Sequence, residues 1–497
     1  MLQVSNLSKS YNGKLLLDKV TFVVNPGEKL GLIGRNGHGK STIFKILMGE
    51  EDADDGVWST SKNYSIGVLS QYFEFSESTV LQEACLALPD YGGWKEEYKA
   101  EAILAGLGFT DKNLKQPPSE MSGGFQMRLN LTKLLLSEPN LLLLDEPTNY
   151  LDIVSIRWLR GFLKTWEDEF ILITHDRNFM DAVCTHTMGI LRYKLRKIKG
   201  PTEKWYAQTA QEDEIYEKTR QTEQARRADT ERFIERFKSQ AAKASLVQSR
   251  VKLLEKQGQM EKLQDISELE FKFSESPFAA KCIQKISALN FGYSSDKMLI
   301  TDIDLDIRPG DRIGVIGPNG KGKSTLLSLL AGELSPLSGT ISNHEKATIG
   351  SFGQTNINRL NFANNVCEEI MSVHPSISMG YARDLAGLMM FSGDDALKKI
   401  KVLSGGEKSR VLLGTILATP VNLLLLDEPT HHLDMQSIES LKEAMQTFSG
   451  AVVLVSHDEM IVREIATRLI VFDDNKAFLF EGNYDSFLER IGWSFEH

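Results

Sequence analysis

Two sets of short motifs, built from glycine, serine, aspartate and histidine, lie on this chain at a nearly constant separation. The lysines that end two glycine-rich loops, Lys40 and Lys323, are 283 residues apart. Three further motif positions recur at a separation of 282 residues, namely Ser122 with Ser404, Asp145 with Asp427, and His175 with His457. A repeat that keeps its register over several motifs is a duplication of whole domains. The architecture is therefore expected to contain two copies of one folding unit.

Composition and charge exclude several classes of function. The 497 residues include 57 Lys and Arg against 67 Asp and Glu, which gives a formal net charge of −10. Such a chain is not a general polyanion binder, so a nucleic-acid partner would need a local basic patch. The four cysteines are scattered and form no C-x-x-C pair, which argues against a zinc site or a disulfide framework and fits a reducing compartment.

The sequence predicts no membrane segment and a cytoplasmic location. Its start lacks a basic stretch followed by an apolar one, as a secretory signal would need. The most apolar runs, Leu141–Leu144 and Ala451–Val455, are far shorter than the roughly 18 residues that span a bilayer. They are typical of buried parallel strands, and any membrane role would require separate subunits.

Each glycine-rich loop follows a predicted strand, Lys29–Ile33 in the first copy and Arg312–Ile316 in the second, and a predicted helix follows each loop. In this context the loop offers successive backbone N–H groups to a polyphosphate at the positive end of a helix. The sequence therefore predicts two P-loops that bind ATP. The predicted nucleotide-binding residues are Gly34, Asn36, Gly37, Gly39, Lys40, Ser41 and Thr42, and Gly317, Asn319, Gly320, Gly322, Lys323, Ser324 and Thr325.

Paired carboxylates end an apolar strand in each copy, as Asp145-Glu146 and Asp427-Glu428. The aspartate can hold Mg²⁺ through water, and the glutamate can orient and polarise the water that attacks a phosphate. A pair that only caps a strand is the alternative, and the two P-loops favour catalysis. The metal ligands predicted from the residues are Ser41, Asp145, Ser324 and Asp427.

A second glycine motif lies 23 residues before each of these aspartates, as Ser122-Gly123-Gly124 and Ser404-Gly405-Gly406. Helical sequence follows, so each motif predicts another phosphate-binding helix N-terminus. Alone, such a motif is more often a plain loop. Its spacing and duplication favour the signature loop of an ATP-binding cassette.

With these motifs the chain resembles a tandem ATP-binding cassette ATPase. The resemblance implies an α/β fold, in which two P-loop cassette domains are joined by a mostly α-helical hairpin linker. It also implies roles for residues that are more often structural when they occur alone. These are Gln71 and Gln354 as Q-loop residues that sense Mg²⁺ and the γ-phosphate, His175 and His457 as switch histidines, and Tyr11 and Tyr293 as rings that stack on adenine.

The resemblance narrows to the ABC-F family, tandem cassettes that act on ribosomes. Met121–Leu131 and Leu403–Val411 are similar to that family's two signature forms, and Glu146–Asp152 and Glu428–Asp434 to its strand-end motifs. The run Phe233–Glu255 is similar to its linker. The resemblance implies a monomeric cytoplasmic ATPase that uses ATP and Mg²⁺ and binds the ribosome, with ribosomal RNA and tRNA as candidate contacts.

The expected domains are a first cassette at 1–206, a charged helical linker at 207–281 and a second cassette at 282–497. Between Arg236 and Leu254 the chain carries five basic residues and no acidic one. RNA phosphates would favour such a patch, although a solvated helix face is the usual alternative. We expect an antiparallel helical hairpin that turns near Ala241–Ser245.

Neither P-loop can surround a nucleotide alone, so each is expected to face the signature loop of the other cassette. Bridging by ATP would close the pair, and hydrolysis would remove the bridge. His38, Lys321 and Phe125 depart from common cassette patterns and are expected to make the two sites unequal. The leading hypothesis is modulation of translation near the tRNA sites. The alternatives are antibiotic resistance by ribosome protection and, with less support, the ATPase subunit of an ABC transporter.

Overall fold

The computed structural model describes residues 1–11, 14–69, 75–89, 96–149, 151–237, 248–249, 271–294, 297–353, 357, 359–391, 393–431, 433–473 and 476–493. The chain forms two compact units. One comprises Met1–Lys197 together with Leu269–His497, and the other comprises Ile198–Glu268. Both copies of the repeat thus lie in the first unit.

The first copy is an alternation of strands and helices. Its strands are β1 (Leu2–Tyr11), β2 (Lys14–Val24), β3 (Lys29–Ile33), β4 (Asp55–Thr60), β5 (Ile66–Val68), β6 (Leu141–Asp145), β7 (Glu169–Ile173), β8 (His186–Leu191) and β9 (Lys194–Lys199). Its helices are α1 (Lys40–Met48), α2 (Val80–Cys85), α3 (Glu97–Gly106), α4 (Asp111–Leu114), α5 (Gly123–Leu136), α6 (Ile153–Thr165) and α7 (Arg177–Val183), with a 3₁₀ turn at Pro118–Glu120.

The second copy repeats this order after helix α8 (Thr202–Phe237). Its strands are β10 (Gln284–Ser294), β11 (Lys297–Ile307), β12 (Arg312–Ile316), β13 (Ser338–Asn343), β14 (Ile349–Phe352), β15 (Leu423–Asp427), β16 (Ala451–Val455), β17 (Arg468–Asp473) and β18 (Lys476–Phe480). Its helices are α9 (Lys323–Leu330), α10 (Val366–Ser372), α11 (Met379–Leu388), α12 (Gly405–Ala418), α13 (Met435–Thr447), α14 (Glu459–Ile465) and α15 (Tyr484–Arg490), with 3₁₀ turns at Gly393–Leu397 and Ile400–Val402.

Each copy contains a six-stranded sheet, in the order β5-β6-β7-β3-β8-β9 and β14-β15-β16-β12-β17-β18. In the first sheet β5, β6, β7, β3 and β8 pair in parallel. The strands that precede the P-loops, β3 and β12, therefore lie beside β7 and β16. Parallel strands place their carboxyl ends at one edge, where ligands of open α/β sheets bind. This topology brings the P-loop, the paired carboxylates and the histidine of each copy to the same edge.

The core explains why these apolar runs form central strands. Leu141–Leu144 is fully buried, and Phe170–Leu172 of the neighbouring strand is equally buried. A smaller antiparallel sheet, β2-β1-β4, covers helix α1 from the opposite side. Helix α1 is thus enclosed between two sheets, with Phe44 only 2% exposed. Burial on both faces fixes the helix that carries the P-loop.

Several local predictions are confirmed. The strands expected at Lys29–Ile33, Arg312–Ile316 and Ala451–Val455 have those bounds in the structure. The predicted turn of the linker, near Ala241–Ser245, lies outside the described residues. Most of the basic run between Arg236 and Leu254 lies outside them as well.

Helix α8, in the second unit, has 36 residues and is about 54 Å long at 1.5 Å per residue. Its charged side chains pair along the helix. Glu214 and Lys218 are 2.6 Å apart, and Arg227 and Glu231 are 3.1 Å apart, both at i,i+4 spacing. Such pairs stabilise an exposed helix by a few tenths of a kcal/mol each, about 0.2–0.5. In the part of the chain that the structure describes, no helix is long and apolar enough to cross a membrane.

Glu83 is a buried carboxylate that ties helix α2 to helix α5. Its Oε2 accepts hydrogen bonds from the backbone N–H groups of Ser76 and Glu77, each at 2.9 Å. Its Oε1 lies 2.5 Å from Nζ of Lys133, and the side chain is 1% exposed. We expect Glu83→Ala to lower the free energy of unfolding by about 3 kcal/mol, because it strands a cation and two donors. Urea unfolding followed by circular dichroism measures this, and the exposed substitution Glu101→Ala is the control. A shift no larger than that of the control would contradict the expectation.

Candidate functional site

The two glycine loops form matching anion cradles. Gly37 and Gly39 have φ of 78° and 90°, and Gly320 and Gly322 have φ of 75° and 108°. These left-handed conformations are unfavourable for residues with a side chain. At Gly317 space is limiting as well, because a Cβ would lie 2.3 Å from the backbone oxygen of Phe472. The sequence of each loop therefore allows the backbone to turn its N–H groups inward.

Each P-loop lysine lies folded over its own loop. Nζ of Lys40 donates to the carbonyl oxygens of Gly34 at 2.6 Å and Arg35 at 3.3 Å. Nζ of Lys323 donates to Gly317 at 2.7 Å and to Pro318 at 3.0 Å. Burial lowers the pKa of Lys323 to about 8, against the opposing effect of Glu428. A phosphate group in the cradle would supply the anionic partner that this ammonium lacks.

The hydroxyl that follows each lysine contacts the aspartate at a strand end. Oγ of Ser41 donates to Oδ2 of Asp145 at 2.8 Å. The corresponding hydrogen bond between Ser324 and Asp427 lowers the pKa of Asp427, although burial, the larger effect, raises it overall. Two hard oxygen donors at this distance fit Mg²⁺. Among the described residues, no cluster of three or more His, Cys, Asp or Glu side chains is arranged around a metal.

The glutamate after each of these aspartates has an unusual backbone. Both Glu146 and Glu428 have φ of 49°, in the left-handed region that non-glycine residues rarely adopt. Each is held there by a backbone N–H donated to the neighbouring strand, to Ile173 at 2.9 Å and to Val455 at 3.0 Å. Strain of this kind, present in both copies, aims the carboxylate away from the sheet.

A histidine lies against each of these glutamates. Nε2 of His175 is 3.1 Å from Oε1 of Glu146, and Nε2 of His457 is 3.4 Å from Oε1 of Glu428. Burial, helped by the neighbouring aspartate, raises the pKa of each glutamate to about 8. Burial, helped by Lys323, lowers the pKa of His457 well below its usual range. Shifts of this size are typical of catalytic sites.

The second copy carries an additional histidine at this position. Nε2 of His431 is 3.6 Å from Oε2 of Glu428. The equivalent residue of the first copy is Asn149. The two carboxylates therefore have different neighbours.

The two signature loops also differ. Ser404 begins helix α12 and forms a reciprocal capping pair with Glu407, whose Oε2 accepts from the Ser404 hydroxyl at 2.8 Å. Ser122 begins helix α5 without a side-chain cap, because Phe125 occupies the position of Glu407. Phe125 packs instead against Phe109, with ring centroids 5.1 Å apart. The inequality expected from Phe125 thus has a local structural origin.

Contacts between the copies bring each P-loop to the other cassette. The backbone N–H of Asn319 donates to Oδ2 of Asp152 at 3.1 Å. In the opposite direction, Nε of Arg35 donates to Oε1 of Gln436 at 3.0 Å. Asp152 itself is paired with Arg128, whose Nη2 is 3.3 Å away. Each contact joins a P-loop to the segment that begins α6 or α13 in the other copy.

A cleft of about 1090 Å³ lies at the second P-loop. Gly124 and Asn149 of the first copy line it together with Lys323, Glu428 and His457 of the second. Gly405, Gly406 and Ser409 also line it. A signature glycine of one copy therefore faces the P-loop of the other across a space large enough for a nucleotide.

The aromatic residues expected to meet adenine lie beside the P-loops. The hydroxyl of Tyr293 is 3.3 Å from Oγ1 of Thr325, and the ring is 72% exposed. A hydrogen bond to Glu51, with burial, raises the pKa of Tyr11, and Thr42 also contacts its hydroxyl. Gln71 and Gln354 lie outside the described residues.

Asp152 and its repeat partner Asp434 were not among the predicted site residues. Each caps a helix, with its side chain accepting from the backbone of Ser155 or Ser437. Burial opposes ionisation of Asp152, but Arg128 holds its pKa below the usual value. An aspartate that precedes an apolar helix at the same 282-residue offset was a signal available in the sequence.

Comparisons with known proteins agree with this geometry. A family model described as ABC transporter matches residues 17–149 and 300–431, and a second model of that description matches residues 189–273. The chain is 34% identical over 532 residues to YbiT, an ATP-binding protein of Escherichia coli O157:H7, covering 99% of this chain and all of the relative. It is 32% identical over 519 residues to the ATP-binding cassette sub-family F member 3 of Mus musculus, covering 98% and 73% of the two chains.

Solved structures share the fold. An archaeal ribosome recycling factor, aABCE1, crystallised with the ribosomal stalk protein aP1, superposes with a TM-score of 0.68 at 20% identity over 98% of this chain and 92% of that one. The structure of an RNase-L inhibitor gives a TM-score of 0.67 at 20% identity, over 99% and 93%. The predicted α/β fold of two tandem cassettes is thereby confirmed.

The two cassette matches cover more than half of the chain, and the relatives align along nearly all of it. The cassettes therefore bind and hydrolyse ATP. The chain belongs to the ABC-F family of tandem ATP-binding cassette proteins.

Proposed function

We propose that this chain is an ATP-gated clamp whose two cassettes close on two ATP molecules and position the segment between them on the ribosome, near the tRNA sites. Hydrolysis would release the closed state and thereby modulate translation. The chain would act as a monomer in the cytoplasm, with the domain boundaries 1–206, 207–281 and 282–497. The contact between Asp152 and Asn319 carries the clamp part of this proposal, because it joins one cassette to the phosphate cradle of the other.

The residues at each cradle fit ATP and Mg²⁺. Lys40 or Lys323 would turn from its loop carbonyls to the β- and γ-phosphates, and Ser41 with Asp145 would hold Mg²⁺, as would Ser324 with Asp427. Mg²⁺ would neutralise the charge that develops on the transferred phosphoryl group. The Q-loop residues Gln71 and Gln354 would complete the two metal sites.

In this proposal Glu146 and Glu428 orient and polarise the attacking water, and His175 and His457 hold these carboxylates in place. The distances of 3.1 and 3.4 Å between the histidines and glutamates support that arrangement. One composite site would use Lys40 with Ser404-Gly405-Gly406, and the other Lys323 with Ser122-Gly123-Gly124. Phosphoryl transfer depends mainly on such positioning.

Closure would follow from differential affinity. ATP would contact a P-loop and the opposite signature loop together only when the cassettes are apposed, so its binding would favour that state. Because the intervening segment is joined to both cassettes, apposition would set its pose. The basic residues between Arg236 and Leu254 give that segment the charge that RNA phosphates attract. The solved neighbour described as ribosome-bound archaeal ABCE1 is consistent with such a target.

Co-sedimentation with ribosomes tests this proposal. The variant Glu146→Gln/Glu428→Gln should accumulate on ribosomes in ATP, because the ATP that closes the clamp is not hydrolysed. The wild-type chain in ADP and a Lys40→Ala/Lys323→Ala variant, which cannot hold the phosphates, are the controls and should remain in the supernatant. Absence of the variant from the ribosomal pellet in ATP would refute the ribosomal target.

The same experiment separates the alternatives. Ribosome protection would use the same sites, and drug susceptibility of cells with and without the chain distinguishes it from housekeeping translation. A transporter subunit would instead co-purify with an integral membrane protein. Neither alternative would change the composite ATP sites.

A further inference from the structure

The cassettes meet through the helices that follow their nucleotide motifs, and this contact is strongly charged. Nε of Arg157, on helix α6, lies 3.0 Å from Oε1 of Glu459, the first residue of helix α14. Nη1 of Arg160 lies 3.6 Å from the other carboxylate oxygen of Glu459. The Glu459 side chain is 8% exposed, so its charge depends on these partners.

A second ion pair joins the same two surfaces on helices α7 and α13. Nη1 of Arg177 lies 4.0 Å from Oε1 of Glu439. The internal repeat relates the two pairs, because Arg157 corresponds to Glu439 and Arg177 corresponds to Glu459, each at the offset of 282 residues. The duplicated positions thus keep the contact and exchange the sign of the charge. The first cassette contributes both arginines and the second contributes both glutamates.

We propose that Arg157 and Arg177 with Glu439 and Glu459 form a charge-swapped surface by which the two cassettes of one chain recognise each other and reject a like cassette of a second copy. If two first cassettes paired in the same geometry, Arg157 would meet Arg177. If two second cassettes paired, Glu439 would meet Glu459. Each such pairing would place like charges together, whereas the pairing within the chain places opposite charges together.

An apolar cluster beside these pairs supplies attraction that does not discriminate. Ile153 of the first cassette is 1% exposed and packs with Val462, Phe480 and Trp493 of the second. Apolar contacts of this kind would tolerate many partners. The charged residues are therefore the element that selects the partner.

The two ion pairs are unequal. Glu459 also accepts a hydrogen bond from the hydroxyl of Tyr484 at 3.3 Å, so three side chains converge on one buried carboxylate. The side chains of Arg177 and Glu439 are 33% and 43% exposed, and such a pair contributes little. Because Glu459 lies two residues after His457, the stronger pair also links the first cassette to the segment that positions this histidine.

A double-mutant cycle in the full chain tests the proposal. Arg157→Glu and Glu459→Arg should each lower the rate of ATP hydrolysis at least about 10-fold, because each places like charges in a buried contact. The combination Arg157→Glu/Glu459→Arg should recover to within about threefold of wild type, since it restores opposite charges. Lys194→Glu, which breaks the exposed 2.5 Å pair with Asp18 inside the first cassette, is the control and should hydrolyse ATP normally. Single variants with normal rates, or a combination no better than the singles, would overturn the proposal.

The preference for one partner has a separate readout that does not depend on how well a single variant folds. A chain with Arg157→Glu/Arg177→Glu has two acidic surfaces, and a chain with Glu439→Arg/Glu459→Arg has two basic ones. Each alone should be inactive, whereas their mixture should form a one-to-one dimer by light scattering and regain hydrolysis, with cassettes paired across chains. A mixture that stays monomeric and inactive would show that these charges do not select the partner.

Discussion

Replacing Glu146 and Glu428 together by glutamine is expected to lower the rate of ATP hydrolysis by about 10²- to 10⁴-fold while ATP binding is retained. Glutamine has nearly the same shape as glutamate, so the left-handed turn at φ of 49° and the contact with the switch histidine can persist. The amide cannot accept a proton from the attacking water. Only the chemical step should therefore be lost.

Steady-state phosphate release and equilibrium ATP binding measure the two effects separately. Glu167→Gln, at an exposed position far from either P-loop, is the matched control and should be indistinguishable from wild type. The two single variants report on the inequality between sites, since Glu428 has His431 beside it and Glu146 has no second histidine at that position. A double variant that retains more than about a tenth of the wild-type rate would show that these carboxylates do not drive the reaction.

Much of the architecture could be predicted from the sequence because the repeat is long and its motifs are tied to local structure. A glycine loop between an apolar strand and a helix has one common structural solution, and the strands at Lys29–Ile33 and Arg312–Ile316 follow it. The fully apolar run Leu141–Leu144 indicated a strand buried on both faces, as it is in the sheet.

Other features depend on contacts between segments far apart in the chain. Nothing in the local pattern of β3 places it between β7 and β8, yet this order brings His175 to Glu146. The left-handed backbone of the two glutamates was also not predicted, because glutamate rarely adopts it. It results from hydrogen bonds to the neighbouring strands, which overrule the local preference.

The contacts between cassettes were the hardest to foresee. Asp152 could be recognised as a helix cap from the sequence, but its bond to Asn319 joins residues 167 apart. The exchange of Arg157 for Glu439 is visible in the repeat once the offset of 282 is known. Only the structure shows that the exchanged residues face charges of the opposite sign.

The composite nature of the two ATP sites predicts a specific pattern among combined substitutions. Lys323→Ala removes the cation of one P-loop, and Gly124→Asp places a carboxylate at the signature loop that lines the same cleft. A carboxylate there should repel a γ-phosphate, whereas the fold should tolerate it, because no atom lies within 4 Å of an added Cβ and acidic residues suit a helix N-terminus. Gly406→Asp makes the equivalent change in the other cassette.

Losing one partner of a buried, hydrogen-bonded charge pair costs about 2–5 kcal/mol, which weakens ATP binding by roughly 30-fold or more. Each single substitution should therefore empty one of two sites at micromolar ATP. Two substitutions in the same composite site should have the effect of one. Two substitutions in different composite sites should empty both.

The number of ATP molecules retained per chain in the Glu146→Gln/Glu428→Gln background measures this directly. We expect about one ATP for Lys323→Ala/Gly124→Asp, whose changes lie in different cassettes and meet in one site, and none for Lys323→Ala/Gly406→Asp, whose changes lie in the same cassette. The opposite result, with ATP retained by the second variant and lost from the first, would show that each cassette forms its site alone and would contradict the clamp.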